Sequence, residues 1–397
     1  MPLIMSSKLA FLTSPVGSDL LRRVMDDGRE DLALASVSWM KGLDSRERTA
    51  LLEQRALRHK AMRKNSGASS MLFTLLGMQQ MTTEILSRYK AARLPAGVNR
   101  IADLCCGLGG DSLHLPPETS VLGVDNSLET LRAYRHNTGL FRLGGTYAVL
   151  ADVTRFQARV DGIFLDPARR ALSSLSKDRD FDAEPEPGWE SIRELIRKFR
   201  NAAIKLGPGV RLPEALEEEE REYLGLHDEC LELTVRTGSF GRAGWVRAVE
   251  LPEGVEMEAQ ACDIPDSFGR VEVPGRYFYE PVKSVIRAHL FGVLAQREGL
   301  WQLDGRLAYL SGDKCVDSPL LKRYRVVKVL PVDESMLRKE VAAGEVGILE
   351  IKKRGLDVSP EEWRKKLKPK GPNAATLVLT RLQGKASVLW VEPEGSN

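Results

Sequence analysis

The chain has 397 residues, 43% of them hydrophobic and 28% charged, with a formal net charge of +3 at pH 7. That is globular composition on a length that calls for two or three units, and so weak a net charge does not by itself argue for nucleic acid. No apolar run is long enough to span a bilayer, and residues 1–12 are too short and weakly basic for a signal peptide. The five cysteines are odd in number and form no CxxC pair, which argues against a disulfide framework and a zinc site and makes a reducing cytoplasm the expected home.

Residues 1–93 carry helical periodicity and no clear strand. Ser18-Asp19 is expected to cap one helix and Asp44-Ser45 another, ahead of ERTALLEQRALRHKAMRK. On the latter, Arg55, Arg58, His59 and Arg63 fall on one face, either a phosphate-tracking surface or a solvated helix side. A further helical segment, 69–94, is expected to break near Gly77, and Pro95-Ala96-Gly97 marks a boundary. From Arg100 short apolar strands alternate with helices, at 101–104, 121–124, 147–150, 162–165 and 202–206. This is the pattern of a parallel sheet covered on both faces. The acidic run 217–220 would face away from any polyanion. Segments 231–235 and 245–251, joined by TGSFGRAG, read as an antiparallel hairpin. An α+β unit follows, with a helix over 281–296 and strands near 307–310, 323–329, 347–352, 375–382 and 386–391. The expected organisation is therefore an α/β chain in three parts: 1–93 helical, 94–255 a sheet domain, 270–397 α+β.

The chemistry gathers at strand ends. After Asp103 comes the turn Cys105-Cys106-Gly107-Leu108-Gly109-Gly110, with Asp111 as the expected cap of a helix over 111–115. Asp125 ends the second strand, where a carboxylate can accept from both hydroxyls of a ribose. A pyrophosphate would require the spacing G-x-G-x-x-G opening onto a helix N-terminus, and would be repelled by Asp111. S-adenosylmethionine (SAM) carries a sulfonium and an ammonium and no phosphate, so the acids favour SAM. Asp152 and Asp166 follow the third and fourth strands, and in an open α/β sheet all four acids meet at one rim. Cys105 and Cys106 read as small buried residues beside the turn. Lys205 and Glu232 read equally as rim residues or as exposed charges at strand edges.

The segments DLCCGLGGDS, VLGVDNS, LADV, LDPARR and AIKLGPG together resemble bacterial class I SAM-dependent methyltransferases with a C-terminal THUMP-like domain. The tail is similar to that unit in YEPVKSVIRA, in 331–339, and in EIKKRGLDVSPEEWRKKL; the resemblance runs from about residue 55 to the C-terminus. It implies a Rossmann-like class I methyltransferase sheet with a helical N-terminal region and a THUMP-like α+β domain. It also implies roles for residues. Gly107 and Gly109 would pass under the methionine moiety with Asp103 near its ammonium, Asp125 would hold the ribose, and Asp152 with Val153 would hold the adenine. Cys105, Gly110 and Asn126 complete the implied cofactor set. Asp166-Pro167 stands where nucleic-acid amino-methyltransferases carry a D/N/S-P-P-aromatic motif that orients the acceptor amine. Here Ala168 replaces the second proline and Arg169 the aromatic, so Arg169 would have to stack on a base or bind a phosphate itself. Phe181 or Trp189 is a further source of a ring. THUMP units imply structured RNA, tRNA or rRNA, as partner, with Lys352, Lys353 and Arg354 as contacts. The alternatives are a small-molecule or protein methyltransferase and a non-catalytic SAM-responsive RNA-binding protein.

Overall fold

The computed structural model describes residues 8–27, 40, 42–141, 145–169, 184–265 and 272–394, the side chain of Arg169 excepted. The chain forms two compact units, Met1–Glu220 with Leu233–Ala243, and Arg221–Glu232 with Gly244–Asn397. Among the described residues, no helix is long and apolar enough to cross a membrane.

The first unit begins with helices α1 (Lys8–Leu12), α2 (Pro15–Asp26), α3 (Ser45–Ala61), α4 (Leu75–Gln80) and α5 (Glu84–Ala92). The cap of α2 is Ser14, whose hydroxyl accepts from the Gly17 N–H at 3.1 Å, with Pro15 opening the helix. The expected cap at Ser18-Asp19 is displaced for that reason. Asp19 lies inside α2, with Arg23 at 3.0 Å. Asp44 does cap α3, accepting from Arg46 and Glu47 N–H at 2.7 and 2.8 Å, while Glu47 closes the capping box. The expected break at Gly77 lies instead at residues 81–83, between α4 and α5. Gly77 is small because Leu108 crosses it: a Cβ there would stand 2.7 Å from Leu108 Cγ. Leu12, Leu51, Met71, Leu72 and Phe73 bury their side chains together with Leu108 and Leu113, tying the helical region to the glycine turn. Each such side chain contributes about 1.5–3 kcal/mol when fully buried.

Next come β1 (Arg100–Leu104), β2 (Ser120–Asp125), α6 (Leu128–Leu140), β3 (Thr146–Leu150), β4 (Gly162–Leu165), the short ribbon β5 (Ala168–Arg169) with β6 (Pro185–Glu186), α7 (Trp189–Phe199), β7 (Ala202–Leu206) and α8 (Glu214–Glu217). All five expected strands form, in the order β7-β4-β1-β2-β3, every pair parallel. All four residues of β4 are buried, as expected of a central strand covered on both faces. No helix forms over 111–115; the chain turns instead, with the Ser112 and Leu113 N–H both bonding Gly109 O at 2.9 and 3.0 Å.

Two strands follow, β8 (Glu220–Leu226) and β9 (Glu229–Thr237), and the chain changes unit along both. Residues 233–237 of β9 belong to the first unit and pair antiparallel with β7. In the second unit, β10 (Trp245–Leu251) pairs parallel with β8 and antiparallel with β11 (Val255–Gln260). The expected hairpin of 231–235 with 245–251 is therefore not formed. Its alternative partner, β8, is masked in the sequence by its charges. Glu220 and Glu222 look solvated but are fully buried, with Arg93 at 2.5 Å from Glu220 and Arg247 at 3.7 Å from Glu222.

The remainder of the second unit comprises β12 (Tyr277–Pro281), α9 (Lys283–Arg287), α10 (Phe291–Glu298), β13 (Trp301–Gln302), β14 (Leu310–Gly312), β15 (Leu321–Pro331), α11 (Glu334–Ala343), β16 (Val346–Lys353), α12 (Pro360–Leu367), β17 (Asn373–Leu382) and β18 (Lys385–Pro393). The single helix expected over 281–296 is two helices, because His289 sits at φ +58° and turns the chain between them. The sheet order is β13-β14-β12-β15-β18-β17-β16. Leu337 and Val341 of α11 and Leu367 of α12 share a core with Leu349, Leu377 and Trp390.

Candidate active site

The site lies within the first unit, at the carboxyl ends of β1, β2, β4 and β7. Where β1 stops, Cys105 adopts φ +59°, a left-handed conformation that a side chain disfavours, and Gly107 and Gly109 follow at +54° and +87°. The three glycines differ in what they leave open. A Cβ on Gly107 would meet nothing within 4 Å, so the backbone there is bare to the crevice. On Gly109 it would come within 3.2 Å of the Tyr134 ring, and on Gly110 within 2.8 Å of Met81 Cγ. Gly110 is thus small for the sake of the N-terminal segment packed on it.

Asp125 is fixed by backbone: its carboxylate accepts from Gly107 N–H at 3.2 Å and Ser127 N–H at 2.9 Å, holding the end of β2 against the turn. The neighbouring Asn126 is exposed. Asp152 is exposed and caps the turn after β3, accepting from the Thr154 hydroxyl at 2.8 Å and its N–H at 2.9 Å; these bonds hold its pKa below the ordinary value. Val153 beside it is buried.

Deeper in, the charges are crowded. Asp103 is buried, accepts from the Ser112 hydroxyl, and has its pKa pushed up to about 8 by burial and then by the Asp111 charge. Asp111 pairs with the buried ammonium of Lys90 and accepts from Thr82 Oγ1 at 3.1 Å. Burial works to raise its pKa, but Lys90 and Lys205 outweigh it and hold the carboxylate ionised. Lys205 Nζ lies 2.6 Å from Asp166 Oδ2 and 4.0 Å from Asp111 Oδ2. Burial raises the Asp166 pKa, against the pull of Lys205, while 35% of its side chain stays exposed. Burial pushes the Cys105 thiol up, and the charges of Asp166, Asp125, Asp103 and Asp152 add to that shift.

Pro167 is buried and Ala168 exposed; the side chain of Arg169 and all of Phe181 lie outside the described residues. Lys205, which the sequence left open, is brought onto Asp166. Lys90, Thr82 and Ser112 were missed. Lys90 is one lysine in a helical run and carries no mark of burial, whereas Lys205 interrupts an apolar strand, a signal that was visible. Two members of the basic stripe on α3 are engaged by backbone: Arg58 is buried, donating to Met71 O and Ser70 O at 2.7 and 3.2 Å, and Arg55 donates to Asp27 O at 3.0 Å, while His59 and Arg63 are exposed. In the second unit, Lys352 pairs with Glu280 at 2.6 Å, Arg354 lies 4.9 Å over the Tyr309 ring, and Lys353 is exposed.

Two uncharacterized S-adenosylmethionine-dependent methyltransferases of Mycobacterium tuberculosis, from strains CDC 1551 / Oshkosh and ATCC 25618 / H37Rv, are each 32% identical to this chain over 346 residues. The match covers 84% of this chain and 92% of theirs. The chain belongs to the SAM-dependent methyltransferases. Within this methyltransferase, residues 321–393, from β15 to β18, match the THUMP domain-like family. A crystal structure from Porphyromonas gingivalis W83, itself only provisionally named a methyltransferase, shares the fold. It is 21% identical, with a TM-score of 0.78 and 100% of both chains covered. SAM supplies a methyl group already activated on a sulfonium. The crevice fits it: Asp103 is a buried carboxylate short of positive charge, and the open space over Gly107 leaves the turn bare.

Proposed function

We propose that this methyltransferase acts on structured RNA, tRNA or rRNA, and that the rim divides into a cofactor half and an acceptor half. In the cofactor half, Asp103 faces the ammonium of SAM, Gly107 and Gly109 lie under its methionine, Asp125 takes the ribose, and Asp152 with Val153 takes the adenine. Cys105 and Asn126 flank that half. In the acceptor half, Asp166 and Pro167 position the acceptor atom, with Arg169 following them. Positioning supplies most of the rate, because the methyl group arrives activated.

The THUMP domain-like match over residues 321–393 carries the RNA reading. Within it, Lys353, Lys365, Lys368 and Lys370 are exposed, the pattern of a surface for phosphates. Lys352 and Arg354 then support that surface through Glu280 and Tyr309 rather than binding first.

The test is transfer from labelled SAM into tRNA, rRNA, protein and metabolite pools from cells lacking this protein, with Asp166→Ala alongside. Label in one RNA pool, reduced by roughly 10²–10⁴-fold with the variant while SAM still binds, is the expected result. Label only in protein or metabolites overturns the RNA reading; SAM binding with no transfer to any pool leaves a non-catalytic SAM sensor.

A further inference from the structure

The chemical class of the acceptor atom is written in the pairing of Asp166 with Lys205. An amine acceptor donates N–H bonds to an oxygen and keeps its single lone pair aimed at the methyl group. An ammonium beside that oxygen works against this arrangement in two ways: it occupies the carboxylate, and its N–H groups attract the lone pair the reaction needs. Lys205 Nζ stands 2.6 Å from Asp166 Oδ2, on the neighbouring strand of the same sheet. A hydroxyl suits that pair. It has one O–H to donate and two lone pairs, so it can donate to Asp166, accept from Lys205, and still aim a lone pair at the methyl carbon. Two further observations agree. The exposed residue after Asp166-Pro167 is Ala168, where a motif for base amines continues with proline and a ring. Lys205 is also held on its other side, 3.5 Å from Gln80 O and 4.0 Å from Asp111 Oδ2, so its ammonium is fixed by β7, the end of α4 and the glycine turn.

We propose that the acceptor is a hydroxyl oxygen, in RNA the ribose 2′-hydroxyl, gripped between the Asp166 carboxylate and the Lys205 ammonium. This rests on the RNA reading given above. In the step, the hydroxyl oxygen forms the bond to the methyl carbon, and the carbon–sulfur bond breaks with its electron pair returning to sulfur. The hydroxyl proton passes to the Asp166 carboxylate and from there to water. Lys205 orients the oxygen and remains protonated throughout.

The experiment is alkaline hydrolysis of RNA labelled by the wild-type enzyme. A 2′-O-methyl group blocks cleavage at the following phosphodiester, so the proposal expects label in alkali-resistant dinucleotides. Label in ordinary mononucleotides, as a methylated base, overturns the hydroxyl acceptor and leaves the RNA reading standing. Label absent from RNA overturns both. Lys205→Met is expected to lower kcat at least about 100-fold with KM for RNA and SAM affinity within roughly threefold, and Lys205→Arg to restore part of that loss. Retained SAM binding shows that each variant is folded. Unchanged kcat in Lys205→Met overturns the role of the lysine, whatever the product.

Discussion

Two charged regions stand out in the sequence, the strand-end acids of the first unit and the basic run Lys352-Lys353-Arg354 of the second, and folding treats them oppositely. Around Cys105 the acids outnumber their cations: Asp103, Asp111 and Asp166 share Lys90 and Lys205, and Asp103 is left with a pKa near 8. In the basic run Lys352 is matched by Glu280, while Lys353 stays exposed. Burial works to lower the Lys352 pKa, but the bond from its ammonium to Glu280 reverses this and carries it above the ordinary value. A binding site for a small cation keeps a deficit of positive charge in a buried place, whereas a surface for a polyanion keeps its cations at the surface. The difference lies in what is left uncompensated, which a count of charges cannot show.

Removing a cation from the crowded region should have the largest effect. Lys90→Met strands the buried Asp111, and a loss of about 3–5 kcal/mol is expected, measured as a lowered midpoint in urea unfolding. Lys90→Met with Asp111→Leu should recover much of it. Next, Gly123→Ala would set a Cβ 2.3 Å from the Tyr134 ring behind the turn, for a loss of about 1–3 kcal/mol by the same measurement.

The charge deficit itself can be titrated. Asp103 is an acid whose folded pKa, about 8, lies above its unfolded value. Its ionisation therefore costs stability, and the protein without SAM loses stability as pH rises through the interval up to about 8. An ammonium ligand favours the carboxylate over the acid. SAM binding near pH 6.5 should then release about one proton and strengthen by up to about tenfold per pH unit towards neutrality. Asp111, Asp166 and Lys90 face the same carboxylate and Ser112 bonds to it, so the control is Asp103→Asn. Calorimetry in buffers of different ionisation enthalpy should show the release vanish in that variant; release that persists would assign it to another group. The smallest effect is expected at the surface of the second unit. Lys353→Glu should lower the slope of log affinity for RNA against log salt by about one and leave SAM affinity unchanged. Lys352→Glu, which opposes Glu280, should cost stability as well as RNA affinity.

Much of the first unit was legible because its signals are local. Five apolar strands, the glycine turn and an acid at each of four strand ends can be read from periodicity and spacing alone. The capping box at Asp44 was equally visible, being contained in four residues. Legibility failed wherever a charge or a glycine takes its role from a distant residue. Glu220 and Glu222 hid β8 because their partners, Arg93 and Arg247, are remote in sequence. Gly77 read as a break because Leu108, which it accommodates, lies in another element. Arg58 read as a surface charge, solvated or on phosphate, because the carbonyls it satisfies belong to residues 70 and 71.

The sequence by itself determined the five parallel strands and, through its contiguous motifs, the resemblance to the family, because strand periodicity and short motifs act over a few residues. Only the tertiary structure decided which charges are spent and which are left over. It brought Lys90 from α5 onto Asp111 and Lys205 from β7 onto Asp166. The physical reason is that a buried charge depends on groups within a few ångströms in space, and chain order fixes those neighbours only after the elements have packed.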